Sequence, residues 1–254
     1  MLAQIPFGRE AFLGVFREYH LDVGPAPILL AALALIACSL ALRPRGASDR
    51  LIAAFLAALW TWSGVVYLWL HLTAINPLAP WFAGAFVLQG VLFLLYGVLT
   101  NRLRFGARPD AFGATGGTII AYALVAYPLI GMALGHTYPS APTFGVPCPT
   151  TLFTFGLLLW TVGRVPFTLL LVPLLWSLLA VSAAVNWGVW EDLAMPLVAL
   201  ISCGMLLRRN LASEQRVEVE VKTPAAGVHD AARQIDTEQS IHDRGAHAGA
   251  GGRR

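Results

Sequence analysis

Apolar residues fall in seven long runs along this chain, and polar residues gather between them. The runs cover roughly 25–42, 51–73, 81–100, 112–134, 150–163, 166–187 and 193–208. They lack the polar faces of soluble amphipathic helices, and most approach the about 20 residues that a helix needs to cross a bilayer. The pattern predicts an all-α, polytopic transmembrane helix bundle of about seven helices, occupying residues 25–209. The fifth run is short: thirteen residues separate Thr150 from Arg164, too few for a full crossing at about 1.5 Å each. Its helix is expected to begin within Pro147-Cys148-Pro149, below the surface. A six-helix bundle with one re-entrant segment is the alternative.

Ahead of the first run, residues 6–20 place Phe12, Phe16 and Tyr19 at i, i+4 and i+7, with Arg9, Glu10, Arg17 and Glu18 elsewhere on the wheel. Segment 1–24 therefore reads as an amphipathic helix lying in the outer membrane interface. Its charges break the only early apolar stretch, so a cleavable signal is not expected. Most of the eight tryptophans stand near run ends, where interfacial anchoring accounts for them. Residues 210–254 turn to Glu, Gln, Asp, Gly, Ala and His, which predicts a disordered tail with His229, His242 and His247 solvated.

Composition agrees with the membrane reading: mean hydropathy is +0.67, and charged residues are 12% of the chain, roughly half the share of a soluble domain. The placement of charge adds orientation. Connections 43–50, 101–111 and the turn at Arg164 carry arginines, whereas 74–80, 135–149 and 188–192 carry no Lys or Arg. The positive-inside rule puts the N-terminus outside and the tail in the cytoplasm. The net charge of +3 does not mark a nucleic-acid partner, since fifteen of the seventeen basic residues sit beside helix ends on one side or in the tail. The expected partners are the lipid bilayer and a small solute or metal ion.

Candidate chemistry is sparse. The single lysine is Lys222, in the tail, which excludes a retinal Schiff base, and the acidic residues avoid the apolar runs. Four prolines in the eleven residues 139–149 stiffen the connection between the fourth and fifth runs. His71, Asn76, His136, Tyr138, Cys148 and Asp192 all fall at the predicted outer level. A quartet of His71, His136, Cys148 and Asp192 has the donor types for zinc or copper, although no standard metal spacing is present. The bland alternative gives His136 a loop carbonyl and makes Asp192 an N-cap. Cys148 has no expected disulfide partner, because Cys38 and Cys203 fall toward the other side. Thr150, Thr151 and Thr154 would line a helix N-terminus suited to an anionic group. The ligand-binding candidates are thus His136, Tyr138, Cys148, Thr150, Thr154 and Asn76.

Several segments are similar to a bacterial family of multi-pass membrane proteins catalogued only as a domain of unknown function. They are Tyr127-Pro128-x-x-Gly131, the stretch from Gly135-His136-x-Tyr138-Pro139 through Pro147-Cys148-Pro149-Thr150, Phe153–Leu158, and Ile75-Asn76-Pro77. The resemblance covers roughly residues 10–208 and implies a membrane bundle. It carries no established activity, and family members are sometimes loosely labelled permeases. The first functional reading is therefore a small-solute transporter of the bacterial cytoplasmic membrane. Its solute would enter at the rigid loop 135–150 and reach a cavity near Gln89, Tyr122 and Thr154. A metal-binding protein or enzyme using the outer His/Cys/Asp cluster is the alternative, and a non-catalytic assembly factor the third. No phosphate-binding loop is present.

Overall fold

The computed structural model describes residues 7–222. The chain divides into two compact units, Met1–Asn210 and Leu211–Arg254. In the second, residues 211–222 are helical, so helix replaces the first part of the expected tail. The rest of that expected tail, with His229, His242 and His247, lies outside the described residues.

The first unit is a helical bundle. An amphipathic helix α1 (Arg9–Val23) leads into α2 (Ala26–Leu42) through an 83° bend. The bend needs Gly24, which caps α1 at φ 55°, and Pro25-Ala26-Pro27, which starts α2 where amide donors are not required. Then follow α3 (Ser48–Ala74), α4 (Ala79–Leu99), α5 (Ala111–Ala133), α6 (Pro147–Leu159), α7 (Thr168–Trp187) and, after the 3₁₀ turn Trp190–Leu193, α8 (Ala194–Lys222). No strand forms among the described residues; Phe105↔Thr161 and Phe144↔Val146 are isolated bridges. Among the described residues five helices (α3, α4, α5, α7 and the stretch Trp190–Gln215) are long and apolar enough to cross a membrane, and the bent α1–α2 pair would make a sixth.

Helix α6 is the short fifth element. At thirteen residues it extends about 20 Å, short of the about 30 Å hydrocarbon thickness. It lies inside the bundle: every residue except Cys148 is buried. Glycines let it approach its neighbour. A Cβ on Gly156 would stand 2.5 Å from Ile120 Cγ1 and 2.9 Å from the Gly116 carbonyl oxygen of α5. A Cβ on Gly116 would meet Trp160 at 2.6 Å and the Gly156 carbonyl oxygen at 2.8 Å. This is the small-residue crossing by which helices pack closely without a hydrophobic driving force.

Pro173 lies inside α7 and removes the amide that would serve the Leu169 carbonyl. Gln89 of α4 supplies the missing donor, its Nε2 bonding Leu169 O at 3.0 Å. Such replacement partners are what make proline tolerable in an apolar helix. Gln89 is fully buried in this role. The helical ladder also widens to π-helix at Ser63–Trp69, Leu94–Leu99 and Tyr122–Ala126.

The two ends of the bundle differ. One carries the arginine-bearing connections, where Asp49 accepts from Phe105 N at 2.7 Å and Arg209 donates to the Thr161 carbonyl at 2.6 Å. The other carries α1, the 75–78 turn, the 134–146 loop and the 3₁₀ turn. Five of the eight tryptophans face inward rather than anchoring an interface; Trp69, Trp81 and Trp190 are the exposed ones.

Candidate functional site

At the α1 end, α1 folds back over the bundle. Phe12, Phe16 and Tyr19 are buried there, and Arg9, Glu10, Arg17 and Glu18 are exposed, so the predicted amphipathic wheel is the observed one. Its apolar face meets protein rather than lipid, however, which corrects the expectation of a simple interfacial anchor. Phe12 stacks on Trp187 at 4.2 Å between ring centres, and Phe16 on Tyr67 at 5.3 Å.

Polar pairs fasten the same helix. His20 is buried, with Nδ1 2.7 Å from both Phe16 O and Pro139 O and Nε2 2.7 Å from Thr143 Oγ1. Two carbonyls facing Nδ1 put the proton there and leave Nε2 to accept from the threonine. Burial pushes the pKa of this imidazole down, against the two carbonyl bonds that raise it. Asp22 meets His71 Nε2 at 3.0 Å, and the other ring nitrogen of His71 faces Val66 O at 2.6 Å. Arg9 Nη2 donates to His136 Nε2 at 3.4 Å, and His136 Nδ1 lies 2.9 Å from Glu191 Oε1. Accepting from arginine fixes His136 Nε2 as the unprotonated nitrogen, so Nδ1–H donates to the carboxylate. Every histidine among the described residues thus stands where α1 docks.

Beneath α1 is a cavity of about 290 Å³. Phe12, Phe16, Tyr67, Phe82, Trp176 and Trp187 give it an aromatic wall. Asn76 and Cys148 line it, together with Pro142, Val146 and Pro147 of the stiff loop. Asp192 also lines it, though only 2% exposed, and accepts from Tyr127 Oη at 2.7 Å and from Cys148 Sγ at 3.3 Å. Two polar groups of the wall, Tyr67 Oη and Trp176 Nε1, are buried without a hydrogen-bond partner.

The sequence candidates divide against this geometry. Cys148, Asn76 and Asp192 line the cavity. His136 sits in the neighbouring Arg9–His136–Glu191 chain instead of bonding a loop carbonyl through its ring. Tyr138 is 66% exposed, its ring edge-on to His20. Thr150 and Thr154 do not form an anion site. Both are fully buried, Thr150 Oγ1 against Ser63 Oγ at 3.2 Å and Thr154 Oγ1 accepting from Trp60 Nε1 at 2.9 Å. The prolines themselves undo that expectation, because Pro147 and Pro149 remove two amide donors from the first turn and Thr150 N bonds Val146 O. The cavity likewise lacks the expected Gln89, Tyr122 and Thr154 walls. Gln89 serves Leu169, and Tyr122 Oη donates to the Glu191 carbonyl oxygen at 2.7 Å.

The proposed metal quartet does not assemble. His71 pairs with Asp22, His136 with Glu191, and Cys148 with Asp192. Among the described residues no group of three or more His, Cys, Asp or Glu is placed to hold a metal ion. Asp192 is not an N-cap either, since both its oxygens accept from side chains. Cys38, Cys148 and Cys203 are all free thiols. Tyr67, Tyr127 and Trp176 were missed from sequence because aromatic residues in apolar runs carry no mark of facing inward. Glu191-Asp192 did carry a signal, as the only adjacent acidic pair beside an apolar run.

No curated protein and no solved structure matches this chain. The profile of the Family of unknown function (DUF6064) matches residues 9–216, and the chain belongs to that family.

Proposed function

We propose that this protein loads a small, mostly apolar solute into the cavity beneath α1 as the first step of a permease cycle in a bacterial cytoplasmic membrane. The α1 end faces outside in this reading, because the arginine-bearing connections gather at the opposite end. The observation that carries the proposal is the cavity itself, with aromatic walls around a few polar groups. Two features support movement of a solute over simple storage. The cover is a separate helix joined at a Gly24-Pro25 bend, and α3, α4 and α5 each contain a π-helical stretch of the kind often found at functional sites.

Equilibrium dialysis of the full chain in nanodiscs against indole tests the binding step. Wild type is expected to show a saturable single site that vanishes in Ala183→Trp, which fills the cavity wall at a buried position. Partitioning without saturation, or equal saturation in the filled variant, contradicts the proposal.

A further inference from the structure

Asp192 and Glu191 are neighbours with different company. Glu191 accepts from His136, behind which Arg9 brings a positive charge. Among the described residues the partners of Asp192 are two neutral donors, the Tyr127 hydroxyl and the Cys148 thiol. A buried carboxylate without a cation is unfavourable, and such groups are normally paired. This one lies on a cavity whose rings present faces that attract positive charge. A second observation is independent of the acidic pair. Tyr67 is 3% exposed, its hydroxyl has no hydrogen-bond partner among the described residues, and it lines the same cavity as Asp192 and Cys148.

We infer that the cavity is a site for an organic cation, a protonated amine on a small apolar body. The ammonium would sit between the Asp192 carboxylate and the Tyr67 hydroxyl, with the body among Phe12, Phe16, Phe82, Trp176 and Trp187. An ammonium N–H donates to both oxygens, which gives the carboxylate its counter-charge and the phenol a partner. The volume of about 290 Å³ suits a single ring or a short chain. Among the described residues no group of three or more His, Cys, Asp or Glu is placed to hold a metal ion, and an anion would meet Asp192.

This inference rests on the reading of the cavity as a solute site, so its test separates the two. The full chain in nanodiscs is titrated by calorimetry with 2-phenylethylammonium and with 2-phenylethanol, its uncharged counterpart. Ala183→Trp in the same nanodiscs serves as the blank for membrane partitioning. Wild type is expected to bind the ammonium at least ~10-fold more tightly than the alcohol, and Asp192→Asn to lose that preference while still binding the alcohol. Equal binding of both probes by wild type overturns the cation inference and leaves the solute site standing. Absence of blank-corrected binding for both overturns the solute site as well. The wild-type comparison decides even if Asp192→Asn does not fold.

Discussion

Gln89 shows how a single residue can mislead and then instruct. A lone amide in an apolar run reads as a solute ligand, yet Gln89 serves the carbonyl that Pro173 leaves without a donor. Gln89→Leu should therefore lower thermal stability by about 1–3 kcal/mol through an unsatisfied buried carbonyl, with indole binding unchanged once folded. A loss of binding at unchanged stability would return Gln89 to the solute path. The sequence displays both residues but not their pairing, because the two lie on different helices far apart in the chain. His20 makes a different prediction. Its folded pKa is depressed by burial, so the neutral ring is the stable partner of Pro139 and Thr143. Its contribution is fully present above the unfolded value of about 6.5 and is lost as pH falls through that value toward the folded pKa. The melting difference between wild type and His20→Gln should accordingly narrow as pH drops from about 7.5 to about 5. A constant difference would show that the ring does not titrate against folding.

Helices were the legible part of the sequence. The first six apolar runs agree with α2 to α7 to within a few residues, the seventh stops at 208 whereas α8 continues to Lys222, and the short fifth run proved to be the thirteen-residue α6. Periodicity also gave α1 its buried face. What it could not give was the surface that face meets, since Phe12 and Phe16 suit a lipid interface as well as an aromatic wall. Two substitutions test these elements. Gly156→Val should destabilise the bundle by about 1–3 kcal/mol or prevent folding, because the α5–α6 contact has no room for a side chain. A wild-type melting temperature in that variant would mean that the helices stand further apart. Phe12→Ala removes a buried ring stacked on Trp187 and should cost about 3–5 kcal/mol of the docking of α1. Limited proteolysis should then cut near Gly24 faster than in wild type, with the rest of the bundle intact; unchanged cleavage would contradict α1 as a docked cover.

Across the whole molecule, charge and apolarity point the same way. The arginine-bearing connections mark one end, and the opposite end carries α1, the proline-stiffened loop and the cavity. The quartet read from sequence failed at this scale, because being at one level is a weaker condition than converging on one point. His71, His136 and Cys148 are level with each other, but each is held by a different acidic partner. Cys148 remains the informative atom, since it is the thiol that lines the cavity. The most direct measurement is the rate at which a membrane-impermeant maleimide alkylates Cys148, in intact cells and in inverted membrane vesicles, for wild type and for Ala183→Trp. The account expects labelling from the outside alone, slowed at least ~10-fold when the cavity is filled. Labelling from the cytoplasmic side, or a rate indifferent to the filled cavity, would contradict it.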